Sequence, residues 1–242
     1  MSHLARLAAT LAIFLAPVAA ADTSAFGPGE QVLYRASYLG IPAGTVQVTV
    51  GEEFPNQPGV WPILALTRSD IGLFFFPVHD KLVIHWDAEH DRSLGIEMWS
   101  DENHRREHLK MSFDPVEPGA ADVASTLYLL RARPLEPGTQ FQIPVVTPHK
   151  QFSAHVVVER RERLQTPLGE KAVVRVLFTT EFGGKLAQKR DFVLYFTDDE
   201  AHLPVRLEAE MALGTVVAEA VEYHSGLRMP GRPRAAARAG DH

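Results

Sequence analysis

Along most of this chain the side chains change character at every second residue, and that alternation constrains the fold more than any other feature. In Val32-Leu33-Tyr34-Arg35-Ala36-Ser37-Tyr38, the residues Val32, Tyr34, Ala36 and Tyr38 share one face, and in Thr45–Val50 so do Val46, Val48 and Val50. A period of two is that of a β-strand, whose successive side chains point to opposite faces of a sheet. The same reading gives strands near 61–68, 81–87, 92–100, 104–113, 139–146, 151–159, 171–179, 189–197, 203–212 and 215–223. Turn-forming residues separate them: Gly40-Ile41-Pro42-Ala43-Gly44 after the first strand, Asp101-Glu102-Asn103, Thr166-Pro167-Leu168-Gly169, Gly183-Gly184 and Asp198-Asp199-Glu200.

One segment breaks the rhythm. Asp122 is placed to cap a short helix over about 122–131, in which Val123, Leu127 and Leu130 form one stripe and Arg131 lies near the C-terminal end. Pro134 and Pro137-Gly138 end it. So many consecutive strands must close, curl or stack to dispose of their edges and apolar faces. The expected fold is all-β: a large antiparallel meander curled into an open barrel or β-spiral, with the helix covering or plugging one end. A two-sheet β-sandwich is the alternative.

The ends of the chain read differently. Arg6, the apolar stretch Leu7–Leu15, Pro17 and the small residues Ala19-Ala20-Ala21 have the layout of a secretory signal peptide over 1–21. That stretch is shorter than the roughly 20 apolar residues a bilayer span requires, and no later segment approaches that length. Residues 22–227 read as one β-rich domain, and 228–242 as a disordered basic tail rich in Pro, Gly, Ala and Arg. With no cysteine in the sequence, disulfides, thiol chemistry and a lipid-modified cysteine at the cleavage point are excluded. The expected location is the periplasm, as a protein that is not a lipoprotein and has no transmembrane segment after signal cleavage. The net charge of −6 is made more acidic in the folded body by the arginines of the tail, which argues against a nucleic-acid partner.

The run His202–Gly214 concentrates His202, Arg206, Glu208 and Glu210 just after Asp198, Asp199 and Glu200, as a catalytic cluster would. Alternation gives the simpler account. Leu203, Val205, Leu207, Ala209 and Met211 face one way, while Arg206, Glu208 and Glu210 face the other, so this is a strand wet on one side and preceded by an acidic turn. Arg206 and Glu208 can then pair along the wet face. His104 and His108 have the spacing that chelates zinc on a helix, but on a strand they lie about 13 Å apart, too far for one ion. His79, His85 and His90 form no better set. No serine stands in a nucleophile elbow, and there is no phosphate-binding or dinucleotide loop. No catalytic residue, metal or cofactor is assigned, and an enzyme is not expected.

The apolar run Ile71–Val78 does not alternate, and a one-sided strand cannot bury the adjacent Phe74 and Phe75 together. Phe74, Phe75 and Phe76 are therefore candidate ligand contacts at the rim of a curled sheet, with Trp86 and Trp99 as further large apolar surfaces.

Several short elements occur in a fixed order: Pro28-Gly29-Glu30, Leu33 and Tyr34, Leu127–Arg131, Leu135 to Gly138, Thr166–Gly169, Leu203–Arg206 and Gly214. Their order, over about residues 26–223, resembles the bacterial domain-of-unknown-function family 3108. The resemblance implies an exported, β-rich envelope protein akin to lipoprotein-carrier-like half barrels, and it implies no established activity. The expected function is non-catalytic binding of a lipid-like or hydrophobic ligand, or of an envelope partner segment, in the apolar trough of a curled sheet. The alternative is an interaction or scaffold protein with a filled core. A hydrolase of envelope polymer comes last.

Overall fold

The computed structural model describes residues 24–69, 78–102, 105–113, 121–147, 150–181, 189–211 and 214–228. The expected signal peptide, nearly all of the basic tail and the Phe74–Phe76 run lie outside them. The described residues form one 12-stranded sheet and one helix. Strands β1 (Gln31–Tyr38), β2 (Ile41–Val50), β3 (Val60–Ser69), β4 (His79–Asp87), β5 (Arg92–Glu102) and β6 (Arg105–Ser112) form a first meander. After the helix α1 (Val123–Arg131), strands β7 (Gln140–Thr147), β8 (Lys150–Thr166), β9 (Gly169–Glu181), β10 (Lys189–Thr197), β11 (Pro204–Met211) and β12 (Gly214–His224) form a second. The two meanders join where β1 pairs antiparallel with β12, giving the order β6-β5-β4-β3-β2-β1-β12-β11-β10-β9-β8-β7. A single continuous sheet rules out the sandwich.

The sheet curls without closing, since β6 and β7 are its two edges. Ala121 bridges onto the outer side of β7, donating to the Pro144 carbonyl and accepting from Val146 N–H, at 3.1 and 2.9 Å. Pro144 is tolerated there because an edge strand needs fewer donors. The opposite edge, β6, carries Arg106, Glu107 and Lys110, charges that oppose pairing with a stray strand. Helix α1 lies against β5 and β7 and so spans the gap between the two halves.

The turns show local chemistry at work. Thr166 and Gly169 flank a two-residue loop in which Leu168 N–H donates to the Thr166 hydroxyl, while that hydroxyl donates to the Gly169 carbonyl at 2.7 Å. The acidic triplet is a turn as expected: Asp199 accepts from the Thr197 hydroxyl and from Ala201 N–H. The first turn differs from expectation. Leu39 and Gly40 both have positive φ (51° and 78°) and turn the chain in two residues, as favoured hairpin turns do. Strand β2 therefore begins at Ile41, and Pro42–Gly44 belong to it. Gly44 serves close packing instead, because a side chain there would collide with the Arg68 carbonyl oxygen.

The helix is capped as read: Asp122 Oδ1 accepts from Ala124 N–H at 2.8 Å and Ser125 N–H at 3.1 Å. Its buried face differs. Val123 is 50% exposed, whereas Ser125, Thr126, Tyr128, Leu129, Leu130 and Arg131 are buried. Val123 projects into solvent while Ser125 and Thr126 beside it are buried, and the last turn is enclosed on several sides, which a one-stripe pattern does not anticipate.

Inside the curl, β-rows from the first meander face the helix and the second meander. Val50, Ile63, Ile84 and Ile96 form one such row across four strands. Phe26, Trp61, Trp86 and Tyr128 pack edge-on or tilted at one end of this core, with Phe26 and Tyr128 ring centroids 4.7 Å apart. Val156, Val158, Val174, Val176 and Phe196 supply the opposite wall. A second cluster, containing Val32, Val173, Tyr195, Leu203 and Val205, lies beside the 198–203 turn.

Candidate functional site

Two features of the concave side stand out: an apolar trough and, next to it, a buried ionic clasp. The trough follows from the strand alternation. Val46 and Val48 on β2, Ile63 and Ala65 on β3, and Leu82 and Ile84 on β4 all point inward, and Leu207 on β11 and Ala218 on β12 continue the surface. Helix α1 forms the facing wall through Ala124, Leu127 and Tyr128. Together they enclose a cavity of about 200 Å³. Ile63 and Ile84 form a fully buried floor, at 0% and 2% exposure. Val46, Val48, Leu82, Leu127, Leu207 and Ala218 are only half-buried. A filled core would have buried them all, so the sheet curls too widely here for its side chains to fill the interior.

The polar atoms at this cavity already have partners. The Tyr34 hydroxyl donates to the Pro204 carbonyl at 2.9 Å. Burial pushes the Tyr34 and Tyr128 phenols well above their ordinary range, so both remain neutral. Among the described residues, no charged side chain lines the cavity. A trough of this composition has the chemistry of a hydrocarbon surface.

The clasp lies behind the helix. Arg131, in the last turn of α1, donates from Nη1 and Nη2 to the two carboxylate oxygens of Glu30 at 2.6 and 2.8 Å. Its remaining donors reach the backbone, Nε to the Ala201 carbonyl at 3.2 Å and Nη2 to the Ala25 carbonyl at 3.3 Å. The guanidinium also lies over the Phe26 ring at 4.8 Å. Arg131 and Glu30 are 1% and 2% exposed. Burial opposes the arginine's charge, but the bidentate carboxylate outweighs it and holds the pKa above the ordinary value. His202, at a positive φ of 39°, aims Nδ1 at the Arg131 carbonyl, 3.1 Å away. The clasp thus ties the segment before β1, the end of α1 and the turn before β11 into one unit.

Sequence reasoning placed neither Glu30 nor Arg131 in a site. A signal was present: both stand inside the short ordered elements, Pro28-Gly29-Glu30 and Leu127–Arg131, and Pro204, which accepts from Tyr34, stands in a third. What those elements share is this one end of the molecule.

The residues that sequence did single out are dispersed. Trp86 is 1% exposed and packs against Phe26 and Tyr128, so its faces are covered by protein. Trp99 lies on the outer face of β5, stacked 5.0 Å from the His108 ring with the Lys81 ammonium 4.5 Å from its centroid, on the side opposite the trough. His108 sits on a strand and contacts Glu97 through Nε2 at 2.8 Å; His104 lies outside the described residues. In the His202–Gly214 run, Arg206 pairs with Glu208 at 2.8 Å, as the alternation required, and with Glu219 across the sheet at 3.4 Å.

Comparison with known proteins agrees with this architecture. Among solved structures, the chain resembles a beta-barrel-like protein of domain of unknown function DUF1849 from Brucella abortus, with a TM-score of 0.52 at 10% identity over 83% of this chain and 99% of that one. At that identity the likeness shows the fold alone. A protein from Bacteroides fragilis, described as exported and with a YmcC-like fold, gives a weaker TM-score of 0.38 at 12% identity over 85% of this chain and all of that one. No curated protein sequence matches. The family model described as "Protein of unknown function (DUF3108)" matches residues 33–221, from within β1 to within β12. The chain therefore belongs to the DUF3108 family.

Proposed function

We propose that this protein is a non-catalytic, exported binding protein that holds one hydrocarbon chain of a lipid-like ligand in the trough between α1 and the inner face of the sheet. The observation that carries the reading is the apolar cavity of about 200 Å³, whose walls are half-buried and whose polar atoms are already hydrogen-bonded. An apolar cavity of about 150 Å³ is enough to take up benzene, whereas drug-sized ligands need roughly 300–1,000 Å³. The space suits a stretch of acyl chain. The signal-peptide layout of residues 1–21 supports a periplasmic location.

Native mass spectrometry of the protein, released gently from its own periplasm, tests this. The expected spectrum contains a species heavier by one lipid. Ala218→Phe, which pushes a ring into the trough from β12, should lower the bound fraction at least about tenfold, equivalent to about 1.4 kcal/mol, while the variant stays folded. Repeated preparations without added mass, or undiminished binding by the filled variant, would sink the proposal.

A further inference from the structure

The hairpin between β1 and β2 ends in four consecutive exposed residues, Leu39, Gly40, Ile41 and Pro42, none of which has a polar side chain. Leu39 and Ile41 are 63% and 53% exposed. From Ala36 to Gly51 the sequence contains no Asp, Glu, Lys, Arg or His. Single surface hydrophobics are ordinary, but a contiguous apolar projection marks a contact with another molecule. Leu39 sharpens the point. It stands at a φ of 51°, a left-handed conformation that suits Gly or Asn. In water this leucine is therefore unfavourable in both its backbone and its exposure, and strain of that kind concentrates at functional positions. Its side chain rests against Gly214, where a Cβ would collide with it.

The tip stands at the end of the curl opposite the clasp. Strand β1 starts beside Glu30 and ends at Tyr38, with Tyr34, on the trough, between them. From Tyr34 the inner face stays apolar toward the tip. Ala36 pairs with Gly44 on β2 and with Ala218 on β12, a row of small residues continuous with the trough wall. Tyr38 follows, opposite Ile41 on one side and Val216 on the other. Ile41 therefore shares the face that lines the trough, one strand repeat or about 7 Å beyond the Ala36 row.

We propose that this hairpin tip docks on the surface of a lipid bilayer, burying Leu39 and Ile41 among the acyl chains and setting the adjoining end of the trough against the membrane. The proposal rests on the trough reading: hydrocarbon held there must be exchanged with surroundings that exclude water, and the tip is exposed, apolar and continuous with the trough. An extended peptide docks by adding to a sheet edge, whereas β1 and β2 lie mid-sheet and are paired on both sides. Anionic headgroups are not required. The nearest ionic side chains in the ladder, Arg35 and Arg68, lie on the outer face, and Arg35 stands opposite Glu219. Docking should therefore occur on neutral phosphatidylcholine and resist added salt.

The sequence has no cysteine, so an environment-sensitive dye can be attached through Ile41→Cys or, at the exposed start of β9 near the clasp end, through Glu170→Cys. With the exported protein, purified from the periplasm, phosphatidylcholine vesicles should brighten the dye at 41 and leave that at 170 unchanged. In vesicle flotation, Leu39→Asn/Ile41→Thr should lower the affinity at least tenfold. Its melting temperature should stay at or above that of wild type, because asparagine tolerates the left-handed turn. Ala218→Phe should dock as wild type does, which separates the tip from the trough. Absence of docking, equal docking by the double variant, or brightening at both positions would each overturn the proposal. So would brightening at 41 with protein concentration alone, as contact with a second copy would give. Docking by a protein that never carries lipid would overturn only the trough reading.

Discussion

Arg131→Met is expected to destabilise the fold by about 3–5 kcal/mol, the usual cost of leaving one member of a buried ion pair without its counter-charge. Glu30 would stay enclosed with only the 3.5 Å contact from the Tyr223 hydroxyl. The carbonyls of Ala25 and Ala201 would lose their donors as well. Replacing both charges, as Glu30→Met with Arg131→Met, should recover much of the loss, because two apolar side chains of similar volume do not require solvation. Recovery should stop short of completion, since the two carbonyls remain unpaired. Urea denaturation of wild type and both variants checks this, read as the midpoint at constant slope. A loss below about 1 kcal/mol for Arg131→Met would show that the clasp contributes nothing beyond geometry.

The clasp also bears on binding. Leu127 and Tyr128 line the trough and lie within one turn of Arg131. Releasing the end of the helix releases that wall, so Arg131→Met should lose lipid even at temperatures where it remains folded.

Trp86→Ala is the second large effect: a loss of about 3–5 kcal/mol, the range for deleting an aromatic from a packed core. For a chain of this size that lowers the melting temperature by on the order of 10 °C. Trp99→Ala should cost about 1 kcal/mol or less, because it removes only the outer-face stacking with His108 and Lys81. The contrast separates a structural tryptophan from a surface one. Thermal unfolding by circular dichroism measures both, and equal shifts would contradict the full burial of Trp86 and the half-burial of Trp99.

How much of this the sequence disclosed depends on the range of the interaction. Alternation along one strand is local. Residues such as Val46, Val48 and Val50, or Leu207 opposite Arg206 and Glu208, announced both the strand and its wet side. The capping of α1 by Asp122 was legible for the same reason. The two-residue turn at Leu39-Gly40 was not, because a leucine at positive φ carries no turn signature. Alternation separates the two tryptophans: Trp86 shares the inner face with Leu82 and Ile84, while Trp99 stands with Glu97 on the outer one, and the bulge beside Trp86 lies in β5, where the pairing skips Leu94.

The clasp was hidden by its separation along the chain. A glutamate after Pro-Gly and an arginine closing a helix each have ordinary local explanations, the second as a charge complementing the helix dipole. Only the packing of the last turn of α1 beneath the residues before β1 makes them partners. The trough was half visible: alternation predicted an apolar inner face, but whether that face would be filled depends on how far the sheet curls, which no single strand records.

The pairing of β1 with β12 carries one more consequence. Every other junction in the sheet is a hairpin between neighbours or near neighbours in sequence, but this one unites Gln31 with His224. Until the final strand has been synthesised, β1 and β11 each keep a raw edge and the two six-strand halves have no seam. Such a distant union carries a large loop-closure penalty and belongs to slow, high-contact-order folding. A molecule built this way closes its sheet only once its whole length is available.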